Sequence, residues 1–250
     1  MKRTITRTAL VTLVLLITAV VSSYAQTYYD LYLCDDATAK LRPQQESTLV
    51  ANDKVHWFLD GTPVGTPITY TGISGSTDLT VPANLTVGLH KYTTAIESKD
   101  GCLGPQSDAF NVYKLPTKTL ALSAPTNASY CGDASGATAS SQITATSTPA
   151  SALPDGIAYA YTWSATFNGT AVTPITSIGS SNGSTGNTNV FTLNTITAGT
   201  YVFTAKVDYA LTAANTGVLK AGTGCSVSST TSQTITVNPR PGKPSIMLVN

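Results

Sequence analysis

The chain has 250 residues, 14 basic and 13 acidic, with only 11% of its residues charged and no block of like charge. Nucleic acid or an anionic membrane surface calls for a basic stripe, and none is present. Threonine, glycine, serine, valine and alanine fill much of the chain, and no stretch after residue 25 keeps an apolar spacing of 3.6 residues. Threonine's branched Cβ suits a pleated strand better than a helix, so the expected class is all-β.

Residues 1–25 read as a cleaved export signal. Lys2, Arg3 and Arg7 give a basic start, Ala9 to Val21 is apolar, and Ser23-Tyr24-Ala25 places small residues where a signal peptidase cuts. A membrane span needs about 20 apolar residues, so the expected mature chain starts at Gln26 and keeps no membrane span. The signal removes three basic residues and no acidic one, which leaves the remainder slightly acidic. The expected location is secreted or cell surface.

The first unit is expected over residues 26–116. Tyr28 to Leu33 leads as a short strand to Cys34, and Ala39–Leu41 and Thr48–Ala51 are further strand pieces. Val55-His-Trp-Phe-Leu59 alternates, with Val55, Trp57 and Leu59 on one face. Asp60-Gly61 is a hairpin signal, with a returning strand from Val64 to Tyr70. Asn84 to Glu97 then carries Tyr92, Thr94 and Ile96 on one face. Asp100-Gly101 turns the chain at Cys102, and Leu115-Pro-Thr-Lys118 reads as a linker.

The second unit, over residues 117–238, repeats this order. Thr195 to Asp208 aligns with Asn84 to Glu97 without a gap: Gly199 on Gly88, Phe203 on Tyr92, Val207 on Ile96. Cys131 and Trp163 stand upstream and Gly224-Cys225 downstream, as Cys34, Trp57 and Gly101-Cys102 do in the first. Asn168-Gly169 is the matching turn, two residues further from its Trp; an even increment keeps the Trp on the same face. Ser177 to Asn189 is rich in Gly, Ser and Asn and reads as a loop. Tyr209 to Gly224 is an excursion that the first unit lacks. Residues 239–250 repeat the linker punctuation and open a candidate third unit at Ile246; the expectation is either further units beyond Asn250 or a terminal spare strand.

Four cysteines in an exported chain read as disulfides. The repeat gives each unit one upstream and one downstream cysteine, so the expected bridges are Cys34–Cys102 and Cys131–Cys225. Each is worth roughly 4–5 kcal/mol on the chain-entropy model. Free thiols and a metal site are the alternatives, but no C-x-x-C and no Cys/His cluster occurs.

These residues carry a resemblance. A Cys, a Trp strand with an X-Gly turn, then Gly-x-x-x-Tyr/Phe and Gly-Cys resembles the tandem Ig-like and PKD-like modules of large secreted surface proteins of Gram-negative bacteria. The resemblance covers about residues 27–240. It implies β-sandwich modules of about a hundred residues strung as spacers or adhesive stalks.

Trp57 with Tyr92 and Trp163 with Phe203 are the expected sandwich cores. No catalytic, cofactor or metal residue is expected. His56 and His90 are the only histidines, and no G-x-S-x-G, H-E-x-x-H or phosphate loop occurs. Asp35-Asp36 and Asp100 are a weak calcium candidate if a bridge draws them together. The expected function is a non-catalytic structural or adhesive spacer, whose partner is an extracellular protein or glycan. The alternative is a carbohydrate-binding module using Phe58, Tyr70 or the Tyr209–Gly224 excursion.

Overall fold

The computed structural model describes residues 28–132, 140–183, 186–242 and 244–247. The expected signal, the turn after Gly132 and the last residues of the expected third unit lie outside them. The first half contributes β1 (Leu31–Leu33), β2 (Ala39–Leu41), β3 (Lys54–Leu59), β4 (Thr62–Pro63), β5 (Ile68–Thr69), β6 (Leu79–Val81), β7 (Gly88–Glu97) and β8 (Phe110–Lys114). The second contributes β9 (Lys118–Leu122), β10 (Ser129–Cys131), β11 (Ser141–Pro149), β12 (Ile157–Phe167), β13 (Thr170–Ala171), β14 (Gly179–Ser181), β15 (Thr188–Leu193) and β16 (Gly199–Leu211). β17 (Val218–Lys220), β18 (Ser226–Ser228) and β19 (Gln233–Asn238) complete it.

The chain is all-β and forms two Ig-like sandwiches. In the second, one sheet runs β14-β15-β11-β9 and the other β10-β19-β16-β12-β13. In antibody-domain lettering these are D-E-B-A and A′-G-F-C-C′. In the first, β1-β8-β7-β3-β4 gives the same A′-G-F-C-C′ layer, closed on its other face by the β2–β6 pair. Each sandwich hides the inward rows of alternating strands. One buried cluster joins Leu31, Leu33, Leu41, Val55, Trp57, Val81, Tyr92 and Val112. The other joins Leu120, Ile143, Trp163, Phe191, Leu193, Phe203, Val207 and Ile235.

Register shows why the two aligned stretches behave alike. Trp57 pairs with Thr94 and Trp163 with Ala205, and Leu59 pairs with Tyr92 as Ala165 does with Phe203. Both tryptophans are buried and each donates its indole N–H, Trp57 to the Thr77 carbonyl at 3.0 Å and Trp163 to Asn189 Oδ1 at 2.6 Å. At each hairpin, both turn residues take positive φ: 50° and 80° at Asp60-Gly61, 47° and 85° at Asn168-Gly169. That conformation matches the right-handed twist of the flanking strands. The Asp60 and Asn168 side chains then accept the backbone N–H of Lys91 and Thr200 on the next strand, at 2.8 and 2.9 Å.

Gly88 and Gly199 open β7 and β16 at φ 132° and 154°. They differ in space. A Cβ on Gly88 meets nothing within 4 Å, whereas one on Gly199 falls 2.2 Å from the Phe167 ring. Gly199→Ala should therefore cost about 2–3 kcal/mol and Gly88→Ala about 1 kcal/mol, read from urea midpoints. Equal losses would contradict the packing of Phe167 over the strand start.

Three local expectations change. Thr48–Ala51 is not a strand: Glu46–Thr48 is a 3-10 turn. Of the strand expected from Val64 to Tyr70 only β5, Ile68–Thr69, forms, with the two-residue β4 ahead of it, because Gly65 turns at φ 66° and Pro67 has no N–H for a ladder. The stretch read as a loop from Ser177 holds β14, paired to β15 from Gly179↔Leu193 to Ser181↔Phe191.

Candidate functional site: a stapled junction

The Tyr209–Gly224 excursion leaves its own sandwich. β17 pairs in parallel with β1, from Leu31↔Val218 to Leu33↔Lys220, and so adds a strand of the second half to the first sheet. The disulfide follows from this crossing: Cys34 is bonded to Cys225, and Cys102 and Cys131 are free and exposed. The expected pairs Cys34–Cys102 and Cys131–Cys225 are both corrected, for one reason. Gly88 pairs with Lys114 and Leu33 with Lys114, which puts Cys34 at the Gly88 end of β7. Glu97 bridges Leu103, which puts Cys102 at the other end of that ten-residue strand, roughly 30 Å away. Likewise Cys131 pairs with Asn238 near Gly199, while Cys225 precedes Ser226, which pairs with Asp208. A disulfide needs Cα atoms within about 7 Å, and only Cys34 and Cys225, at 5.1 Å, satisfy it.

A buried polar network surrounds the bridge. Tyr32 is fully buried; its hydroxyl donates to the Asp155 carbonyl and accepts from Asn215 Nδ2 at 2.9 Å and from the Tyr29 N–H. Asn215 also donates to Gly156 O. Thr223 N–H donates to Asp36 Oδ1 at 2.6 Å, and the Thr223 hydroxyl first and this N–H second hold that carboxyl below its ordinary range. Gly217, Gly222 and Gly224 are required by contact: a Cβ would fall 2.2 Å from Tyr29 O, 2.2 Å from Asp36 Oδ1 and 2.4 Å from Asp35 Cβ.

Two buried lysines flank the linker. Lys114 Nζ donates to the carbonyls of Cys34, Asp35 and Ala83. Lys118 Nζ donates to those of Gly224 and Cys225 and lies 3.7 Å from the centre of the Tyr209 ring, whose hydroxyl donates to Pro116 O. One lysine thus holds the backbone of each half-cystine. Burial pushes both ammonium groups down, Lys118 to about 8 against the attraction of Asp208, and Lys114 against Asp35 and Asp36. The unfolded chain therefore holds a proton on Lys118 up to about 10.5 that the folded chain begins to release near 8. Stability should rise with pH across that window, by on the order of 3 kcal/mol. Urea unfolding from pH 7 to 10 should show that rise in the wild type and a smaller one in Lys118→Met, where only the Lys114 share remains; parallel curves would refute it.

The other sequence candidates do not assemble a site. His90 lies between Asp60 and Thr86, which resembles a carboxylate–histidine–hydroxyl relay. Its Nε2 donates to the Thr86 carbonyl at 2.8 Å, so that nitrogen has no lone pair for the Thr86 hydroxyl 3.5 Å away. His56 contacts Glu97 at 2.7 Å, which Lys54 also holds. Asp36 and Asp100 lie at opposite ends of the first sandwich. Among the described residues no group of three His, Cys, Asp or Glu gathers for a metal. Phe58 and Tyr70 are half-buried, and Phe110 is the one exposed ring among the described residues. Sequence reasoning flagged the excursion but missed Tyr32, Lys114, Lys118 and Asn215. The signal available was a lysine on each side of Leu115-Pro116.

No protein-family model matches the chain, and no curated protein matches it. Solved structures similar to it include the fibronectin(III)-like modules of Clostridium thermocellum CbhA, at 13% identity over 87% of this chain and 93% of that one, TM-score 0.40. Murine CEACAM1b is similar at 16% identity over 84% and 96%, TM-score 0.35, and the tandem Ig repeats of Dlar at 11% over 86% and 96%, TM-score 0.24. Likenesses this distant add nothing beyond the strand order. No helix among the described residues is long and apolar enough to cross a membrane. By its own strand order and register, this chain is a pair of Ig-like β-sandwiches locked together at one junction.

Proposed function

We propose that this is an exported, non-catalytic spacer of Ig-like modules, with units over residues 26–116 and 117–238, that holds its neighbours at a set distance and orientation. The observation that carries the reading is the junction. A disulfide, an added strand and the hydrogen bonds of Tyr32 to Asp155 and Asn215 bind one sandwich to the other, where a flexible linker would have left them free. A fixed angle between modules is what a stalk needs. The basic, apolar and small-residue order of residues 1–25 supports export, and an oxidising compartment suits the bridge.

Residual dipolar couplings on the two sandwiches test it. A single alignment tensor should fit both in the oxidised protein. Asn215→Ala, which removes the Tyr32 and Gly156 contacts, should cost about 1–3 kcal/mol and loosen that fit. Two independent tensors in the oxidised wild type would overturn the spacer reading.

One observation favours a second reading, a carbohydrate-binding module. A cavity of about 440 Å³ is bordered by Trp57, Tyr92 and Phe110 with Asp30, Lys40 and Arg42. The Tyr92 hydroxyl there is buried and has no partner. A glycan array that finds a ligand lost in Phe110→Ala would favour it over the spacer.

A further inference from the structure

The two upstream cysteines occupy the same place in their sandwiches. Leu33 pairs with Lys114, which pairs with Gly88; Tyr130 pairs with Val237, which pairs with Gly199. Since Gly88 and Gly199 are the aligned glycines, Cys34 and Cys131 are the next residue on equivalent strands. In sequence each opens the same pattern, Cys-x-Asp-Ala, at 34–37 and 131–134. The downstream pair is equivalent too, since Leu103 bridges Glu97 as Ser226 pairs with Asp208.

Their surroundings differ. β1 carries β17 on its outer edge, Cys34 N–H donates to Lys220 O, and Cys34 is 1% exposed. β10 pairs only with β19 among the described strands, and Cys131 is exposed with a free thiol. From Ser129 to Cys131 no described strand covers this edge, and Asn127 just before it is held by Ser141; a strand edge open in this way beside a thiol is an unfilled copy of an arrangement that is filled elsewhere in the same molecule. The chain also leaves from this pole. β19 ends at Asn238 beside Cys131, as β8 ends at Lys114 beside Cys34, and the second sandwich follows directly from there. Beyond Asn238, Ile246 and Met247 stand uncovered, 101% and 80% exposed.

We propose that the β10 edge and Cys131 form a second docking socket, which takes an extended strand ending in Gly-Cys, of the Val218–Cys225 kind, from a further Ig-like module. The segment would pair in parallel with β10 and place its cysteine on Cys131. Two thiols then lose two electrons and two protons to a disulfide oxidant, which is reduced to two thiols, and one S–S bond forms. Cys102 does not offer such a segment. Its turn, Ser98 to Cys102, has no strand of its own, so two copies of this chain are not the matched pair. The proposal rests on the junction reading, because the filled socket is the template.

The probe is the synthetic peptide of residues 216–226, supplied as its mixed disulfide with glutathione. The Cys131 thiolate attacks the peptide sulfur and glutathione leaves as the thiolate. Wild type, Cys131→Ser and Cys102→Ser are compared, and adducts are located by tryptic mapping. The peptide should join Cys131 at least tenfold faster than Cys102, and tenfold faster than a scrambled peptide with its Cys in the same place. N-methylation at Lys220, whose N–H would meet the carbonyl of Ser129 as it meets that of Tyr32 in the parallel β1–β17 ladder, should abolish the advantage. Equal rates at the two cysteines, equal rates with the scrambled peptide, or faster cross-linking between copies of the chain would overturn the proposal. The same digests report on Cys34–Cys225. If that bridge is intact while the preference is missing, the socket alone fails; if Cys34 is paired elsewhere, the junction reading fails first.

Discussion

Replacing both Cys34 and Cys225 with serine is expected to lower the unfolding free energy by about 5 kcal/mol. The bridge closes a loop with a sequence separation of 191, and chain entropy grows slowly enough with length that this figure changes little with the exact count. Both cysteines must go, since a single serine leaves an additional thiol that a disulfide oxidant can join to another thiol. The hydrogen bonds of Tyr32 to Asp155 and Asn215 and the pairing of β17 with β1 should keep the sandwiches in contact, so the loss is one of stability rather than of fold. Urea unfolding followed by tryptophan fluorescence reads it. A midpoint unchanged by the double substitution would show that the bridge contributes nothing the junction does not already supply.

Trp163→Ala is expected to cost about 3–5 kcal/mol, through the cavity left when a buried ring is removed from a packed core. Trp163 packs against Phe191, their ring centres 5.6 Å apart, and Phe191 packs on Phe203 at 5.4 Å, so the void opens in the middle of an aromatic row. A second cost is polar. Asn189 is 2% exposed and its Oδ1 takes the indole N–H. Trp163→Phe keeps most of the volume but orphans that oxygen, and should cost about 1–3 kcal/mol. The two variants separate packing from hydrogen bonding. Equal losses would mean that the polar contact carries the effect, and an unchanged midpoint in Trp163→Ala would contradict the core placement.

Much of the architecture was legible because it depends on period-two patterns and turn chemistry, which are local. The all-β class followed from threonine-rich alternation, and the two hairpins from Asp60-Gly61 and Asn168-Gly169. The two-residue change in spacing left Trp163 on the inward face. The cysteine pairing was not legible, because it depends on which end of a strand each cysteine reaches. Alignment of two sequence copies says that Cys34 matches Cys131 and Cys102 matches Cys225. It does not say that the length of a long strand, Gly88 to Glu97 in β7 and Gly199 to Asp208 in β16, separates the members of each assumed pair. The crossing of Val218–Lys220 onto β1 is a contact between residues far apart in sequence, and nothing in the three residues themselves announces it. The junction lysines were hidden for a related reason. Lysine is mostly a surface residue, and only the carbonyls gathered around Lys114 and Lys118 make it tolerable inside.

The borrowed strand also bears on synthesis. A ribosome finishes Leu31–Lys114 long before it reaches Val218, so the earlier sandwich emerges with a raw flank and an unmatched sulfur. Until the later segment arrives, nascent chains crowded on one message could zip to each other along that flank. Any helper that shields the flank during this interval would set the yield of the finished protein, even if it touches nothing in the mature molecule.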